Sequence, residues 1–290
     1  MKYAEKIILG TVQLGIPYGI NNHTGKPDRL TAHKLLQTAW DGGICLLDTA
    51  ESYGNAQEII GDYHSAQSNR FNVITKLQYS KDPDGLLQSV LNDLELLKVD
   101  TLYGFMFHHL DLFKRNPKNL KDLIRLKNDG KIQRIGVSVY TNEDIEFILN
   151  YPEINLIQMP YNMLDNWYQR GEYVRLAKDN GIEIHVRSVF LQGLFFKPLS
   201  DLPPKLRPLR TYLRQLQELC CHYQMTMEMG AMAYALGRPE FDRVLMGVDT
   251  PEQLSGNLNQ INQLSLTDEF LKSVDAIQVA DTELLSPVNW

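Results

Sequence analysis

Short apolar runs alternate along the chain with longer stretches in which apolar side chains return every three or four positions. The short runs predict strands near 7–10, 44–48, 72–76, 102–108, 134–138, 155–159, 183–187 and 244–247. The longer stretches predict helices near 31–41, 55–63, 84–97, 117–129, 142–149, 170–180, 209–222 and 251–261. Local signals support several boundaries. Thr31 is positioned to N-cap the first helix, Gly42-Gly43 ends it, and Asp129-Gly130 and Asn180-Gly181 close later helices with residues that tolerate positive φ. Strand and helix in strict alternation is the rhythm of repeated βα units with a parallel sheet.

Two stretches fall outside that rhythm. FFKPLSDLPPKLRP (195–208) carries four prolines and predicts an ordered, non-helical loop, and the tail from Thr267 to Trp290 follows the last predicted unit. The chain has 290 residues, a size at which eight βα units form one domain, and 43% hydrophobic residues supply its core. With 29 basic and 35 acidic residues there is no basic footprint for a nucleic-acid partner. Cys45, Cys220 and Cys221 lack CxxC spacing, which disfavours a zinc or disulfide framework. MKYAEKIILG shows neither a long apolar stretch nor a small-residue cleavage site, and no segment has the apolar length of a membrane span, so a cytoplasmic protein is expected.

Candidate chemistry gathers where apolar runs end. CLLDTAESYG (45–54), VITKL (73–77) and LYGFMFHH (102–109) each pass from apolar to polar, as buried parallel strands do on emerging into a cleft. They contribute Asp48, Tyr53, Lys76 and His108. Taken singly, these read as a helix cap, a loop aromatic, a solvated charge and a core histidine. Together they form a kit for carbonyl reduction. Asp48 pairs with Lys76, the cation lowers the pKa of the Tyr53 phenol so that it donates a proton, and His108 orients the carbonyl oxygen. His109 would turn the other way along the strand, which disfavours a two-histidine metal site.

DTAESYG resembles the Asp-Thr-Ala-x-x-Tyr-Gly signature of the aldo-keto reductases. ILGTVQLG (8–15), GKIQRIGVS (130–138), IQMPYN (157–162) and GVDTPEQLSGN (247–257) resemble further motifs of that family in the same order, and the family's His-x-x-Asp pattern falls on His108 in HHLD (108–111). The resemblance implies one (β/α)8 TIM barrel over residues 1–290. It implies an enzyme using NADP(H), with NAD(H) open, on a small-molecule carbonyl or alcohol.

By the same resemblance, the nicotinamide carboxamide is held by Ser138 and Gln158, with Val139 where the family has Asn. Arg187 stands where many members stack a Tyr on the nicotinamide. Ser188, Leu191 and Gly193 approach the pyrophosphate, and Gly247, Asp249, Gln253 and Asn257 the adenosine end. Members selective for the 2′-phosphate carry basic residues in that last turn, which here has none. A nucleotide-binding regulatory barrel with little turnover is the alternative. A lyase or isomerase barrel would leave the Tyr53 and Asp48 arrangement without a role. Candidate wall residues are Tyr18, Trp167, Phe190 and Trp290, with Asn21, Asn22, His23 and His109 as candidate hydroxyl partners. GxGxxG and GxxxxGK[ST] motifs are both absent.

Overall fold

Eight parallel strands close on themselves in chain order: β1 (Ile7–Gly10), β2 (Leu46–Asp48), β3 (Asn72–Leu77), β4 (Gly104–Phe107), β5 (Ile135–Ser138), β6 (Leu156–Pro160), β7 (Glu183–Arg187) and β8 (Arg243–Met246). The structure is a computed structural model, and it describes residues 3–20, 22, 25–78, 85–264 and 267–290. The helices around the barrel are α1 (Val12–Gly15), α2 (Arg29–Asp41), α3 (Ala56–Ala66), α4 (Leu86–Leu97), α5 (Leu110–Arg115), α6 (Asn119–Asn128), α7 (Asn142–Ile148), α8 (Trp167–Asp179), α9 (Arg210–His222), α10 (Met227–Leu236), α11 (Pro251–Asn262) and α12 (Asp268–Asp275). No described helix is long and apolar enough to cross a membrane.

Because side chains alternate along a strand, each strand feeds two cores. Ile8, Leu46, Ile74, Met106 and Leu156 fill the lumen, with Tyr103 and Leu245 packed against them. The opposite faces, including Leu9, Leu47, Val73, Phe105 and Val137, pack outward under the helices. The lumen is narrow at β4 and β5. A Cβ on Gly136 would come within 2.8 Å of Met106, and one on Gly104 within 3.0 Å of Leu156. Polar side chains close the bottom of the barrel, where Glu183 accepts from Tyr103 at 2.5 Å and pairs with Arg134 and with His185.

Every predicted strand and helix has a counterpart, with differences that have local causes. The first helix begins at Arg29 and its N-cap is Asp28, whose carboxylate accepts from the Thr31 backbone N–H at 2.7 Å, so Thr31 lies inside the helix. The predicted 117–129 helix is α6 alone, preceded by a separate short α5. The helix expected to start at 84 begins at Leu86, position 84 lying outside the described residues. The proline-rich stretch is not a plain loop but contains two short 3-10 segments, Leu199–Asp201 and Pro204–Leu209, while the turn before it, Leu191–Phe196, is broken by positive φ at Gln192 and Gly193. Proline at the first position of such a turn already has the required φ and loses no hydrogen bond. Four helices had no counterpart in the pattern: α1, α5, α10 and α12. In α10 seven residues from Gly230 to Leu236 are all buried, so there is no polar face to reveal a helical period.

One buried contact between the barrel and its helices is sensitive to pH. Gln57 Nε2 of α3 donates to Thr75 Oγ1 of β3 at 2.9 Å and to Asp93 Oδ1 of α4 at 2.8 Å. Asp93 Oδ2 is buried with no hydrogen-bond partner among the described residues. Burial, reinforced by the charge of Glu51, pushes the Asp93 carboxyl up to about 7. The protonated form is therefore the one the fold favours, and its contribution to stability is lost as pH rises from about 4, the unfolded value, through about 7. Asp93→Asn is expected to melt with wild type near pH 4–5 and several degrees above it at pH 8. Melting curves across that range check this; an offset independent of pH would show that Asp93 does not titrate there.

Candidate active site

Strand alternation determines what faces the mouth of the barrel. Asp48, Lys76, Ser138, Gln158 and Arg187 each stand two residues beyond a lumen-facing position, at Leu46, Ile74, Gly136, Leu156 and His185. Their side chains converge at the C-terminal end of the barrel, the end at which (β/α)8 enzymes carry their sites. They line a cleft of about 570 Å³ with Tyr53, His108 and Tyr140, and it extends across the barrel to Gly247, Asp249, Gln253 and Asn257.

At the floor, Lys76 Nζ and Asp48 Oδ1 form an ion pair, with side chains only 1% and 3% exposed. The second carboxylate oxygen of Asp48 accepts from Gln158 Nε2 at 2.7 Å, and Thr49 O accepts from Lys76 at 3.5 Å. Above the pair, the Lys76 ammonium lies 5.4 Å from the centroid of the Tyr53 ring. Tyr53 meets His108 edge to face at 5.9 Å, and Ser52 Oγ lies 3.3 Å from His108 Nδ1.

Burial governs the protonation of both groups. The phenol of Tyr53 is pushed well above its ordinary range, by desolvation first and then by the Asp48 charge, while Arg187 pulls the other way. The expected lowering by Lys76 is therefore not the net result, since Asp48 offsets the ammonium and a phenolate here would lose its hydration. His108 is driven down to about 3, by burial first and then by the charges of Lys76, His109 and Arg187. At neutral pH the cleft presents a neutral phenol beside a neutral imidazole, two hydrogen-bonding groups suited to a carbonyl oxygen.

Two glycines seat Tyr53. A Cβ on Gly15 would lie 1.6 Å from the Tyr53 carbonyl oxygen, and one on Gly54, at φ +56°, would lie 2.5 Å from Gly15 O. The end of α1 thus packs backbone to backbone against the loop that carries Tyr53. Across the cleft, the loop after β7 runs through positive φ at Ser188, Leu191, Gln192 and Gly193. It brings Ser188, Val189, Phe190, Gln192 and Gly193 to the cleft, and Gln192 Nε2 donates to Tyr18 Oη at 3.1 Å.

The structure brings together all four proton-relay candidates and nine of the ten cofactor candidates. The exception is Leu191, fully buried in the outer core, because the turn that exposes its neighbours directs its side chain inward. Tyr18, Phe190 and Asn22 line the cleft, whereas Trp167 packs against Arg238 and Phe241 and Trp290 lies away from the lining. Asn21 and His23 lie outside the described residues. His109 is exposed and stacks between His108 and Tyr140, at 5.1 and 5.4 Å, rather than forming the wall.

Val139 is buried away from the cleft, and the residue after it, Tyr140, enters instead. Sequence reasoning passed over Tyr140, Gln13, Glu228, Pro287 and the contact of Ser52 with His108. Strand parity had a signal for one of them, since Tyr140 continues the inward series 136, 138, 140.

Gly15→Ala is expected to displace the Tyr53 loop, with a cost of roughly 1–3 kcal/mol for forced overpacking. Melting temperature should fall, together with any activity that depends on Tyr53. A variant as stable and as active as wild type would show that the loop position is not set by this contact.

The aldo/keto reductase family model matches residues 6–279. Among curated relatives, the chain is 27% identical to an NADH-specific methylglyoxal reductase of Escherichia coli (strain K12), over 90% of each protein. It is 24% identical to an L-glyceraldehyde 3-phosphate reductase of the same organism, covering 92% of this chain and 89% of the relative. Among solved structures, an aldo-keto reductase of Bacillus halodurans in its holo form superposes with a TM-score of 0.77 at 21% identity, covering 95% of this chain and 93% of that one. A glycerol dehydrogenase of Gluconobacter oxydans gives 0.75 at 24% identity, covering 94% and 90%. With a closed parallel barrel, a polar cleft at its C-terminal end and a family match over nearly its whole length, the chain belongs to the aldo/keto reductase family and is an NAD(P)H-dependent oxidoreductase.

Proposed function

We propose that the chain reduces a small aldehyde, ketone or sugar carbonyl to the alcohol, with Tyr53 as the proton donor. The observation that carries this reading is the meeting of Tyr53 and His108 above the buried Lys76–Asp48 pair. His108, neutral, donates a hydrogen bond that polarises and orients the carbonyl oxygen. Tyr53 delivers the proton to that oxygen as negative charge develops on it. Lys76 lies beneath the phenol, where positive charge favours the phenolate left behind. The upward shift of the phenol keeps it protonated at neutral pH, the form that a proton donor needs.

The cleft also fits an extended dinucleotide. It runs from Tyr53 and His108 to Gly247, Asp249, Gln253 and Asn257, and Gln13 Oε1 on its lining is buried without a hydrogen-bond partner among the described residues. When bound, the nicotinamide supplies a hydride to the carbonyl carbon. Ser138 and the Oε1 of Gln158 would hold its carboxamide, and the face of Arg187 would lie against its ring. Ser188 and Gly193 would approach the pyrophosphate, and Gly247, Asp249, Gln253 and Asn257 the adenosine. Tyr53→Phe is expected to lower kcat by roughly 10²–10⁴-fold while leaving the dissociation constant for the nucleotide nearly unchanged. Retention of wild-type kcat where chemistry limits the rate would refute the assignment of Tyr53.

We further propose weak discrimination between NADPH and NADH. The adenosine end contains Asp249, whose Oδ1 accepts from Asn22 Nδ2 at 3.3 Å and whose N–H donates to Gln253 Oε1 at 2.8 Å. No Lys or Arg lines that end among the described residues. Arg243 lies at the opposite end of β8, bonded to the Glu5 carbonyl. A carboxylate opposes the 2′-phosphate of NADPH, and a relative named for NADH specificity supports tolerance of NADH. Asp249→Arg should shift preference toward NADPH by about tenfold or more, roughly 1.4 kcal/mol. Fluorescence titration with both nucleotides checks it; a hundredfold wild-type preference for NADPH that ignores Asp249→Arg would mean the phosphate is held elsewhere.

A further inference from the structure

Three part-buried arginines each face a carboxylate: Arg134 pairs with Glu183, Arg170 with Asp165 and Arg238 with Asp275. Arg187, at the top of β7 and within the cleft, has no carboxylate at ion-pair distance among the described residues. The acids that share its cleft are otherwise disposed. Asp48 is taken up by Lys76 and Gln158, Asp249 belongs to the far end with Asn22, and Glu228, in the first turn of α10, forms no ion pair with Arg187.

The guanidinium carbon lies 4.3 Å from the centroid of the Tyr140 ring, and Nη1 donates to Ser188 Oγ at 3.4 Å. Nη2 is buried and makes no hydrogen bond among the described residues. The ring contact and the Ser188 bond hold the guanidinium in the cleft and leave Nη2 as a buried donor without a partner among the described residues, a donor on a fixed positive charge that a carboxylate or phosphate oxygen can meet. Arg187 lines the same cleft as Tyr53, His108 and Lys76, the proposed reacting centre.

We propose that Arg187 receives an anionic substituent of the substrate, so that the preferred carbonyls are those carrying a carboxylate or phosphate close to the reacting carbon. The proposal rests on the reductase reading above and narrows its substrate class. A neutral acceptor such as a carboxamide would satisfy one donor but leave the charge uncompensated in a desolvated cleft. An anion satisfies both. The orientation also has a consequence for selectivity. With the carbonyl oxygen at Tyr53 and His108 and the anion at Arg187, the substrate is held at two points, so a neutral analogue of equal size loses the second.

The test uses matched substrates, glyoxylate against glyoxal and glyceraldehyde 3-phosphate against glyceraldehyde, with kcat/KM measured for wild type, Arg187→Met and Arg187→Lys. The readout is the anionic-to-neutral ratio, which cancels any common loss from altered nucleotide binding. Wild type is expected to favour the anionic member of at least one pair, and the pair that responds separates carboxylate from phosphate. Arg187→Met should lower that ratio roughly thirtyfold or more, as for truncation of one partner of a buried charge pair, and Arg187→Lys should retain part of it.

Calorimetric titration with oxalate and with inorganic phosphate provides a readout independent of turnover. Binding of one of them should weaken about tenfold or more in Arg187→Met. A wild-type ratio near one for both pairs, or a ratio or anion affinity unmoved by Arg187→Met, overturns the proposal. Arg187-dependent anion binding without turnover of any carbonyl would refute the reductase reading and leave the anion site standing.

Discussion

The ion pair between Asp48 and Lys76 is the constraint on which the cleft depends. Two charges removed from water are tolerated only when each is matched and its remaining valences are used. Here one carboxylate oxygen meets the ammonium, the other accepts from Gln158, and the ammonium reaches the Thr49 carbonyl. The tops of β2, β3 and β6 are thereby tied through side chains in addition to the backbone ladder. Removing either partner would strand a buried charge, a loss of roughly 3–5 kcal/mol. The same pair forms the floor beneath Tyr53, with the Lys76 ammonium 5.4 Å from the phenol ring centroid.

Electrostatics in the rest of the cleft follows from that arrangement. Because Asp48 and Lys76 offset one another, desolvation dominates the neighbours, and it pushes Tyr53 and His108 in opposite directions toward the same outcome, a neutral group. Neutral hydrogen-bonding groups held in fixed positions and shielded from water can respond to charge developing on a substrate oxygen without reorganising. Arg187 departs from this neutrality: its charge is fixed in orientation by Tyr140 and is not cancelled by a carboxylate within ion-pair distance among the described residues. A cleft that is neutral at its reacting centre and positive at one edge distinguishes substrates by what they carry beside the carbonyl.

Backbone geometry contributes as much as side chains. The glycines of ILGTVQLG and DTAESYG, at 15 and 54, allow α1 and the Tyr53 loop to touch through their main chains. After β7, successive residues at positive φ turn the loop so that five of its residues face the cleft and Leu191 enters the core. Strain of this kind persists where surrounding packing over-determines it.

The sequence by itself determined the number and order of strands, because strands buried on both faces of a parallel sheet show as short continuous apolar runs between longer helical stretches. It also showed Asp48 and Lys76 as polar residues ending apolar runs, whereas Ser138, Gln158 and Arg187 were marked by the family resemblance, and in the fold all five share the inward parity of the rim. Tertiary structure decided whatever depended on environment. In α10 the wholly buried run from Gly230 to Leu236 had no polar face to declare its period, and the prolines of 195–208 proved compatible with 3-10 turns because neighbouring packing fixed them there. The protonation of Tyr53 reversed the expectation drawn from its cation, since desolvation and the Asp48 charge are properties of the assembled cleft and not of residue spacing. That Arg187 has no carboxylate at ion-pair distance among the described residues was likewise undecided until distant strands met, because a partner for a charge is a matter of distance in space that no linear pattern records.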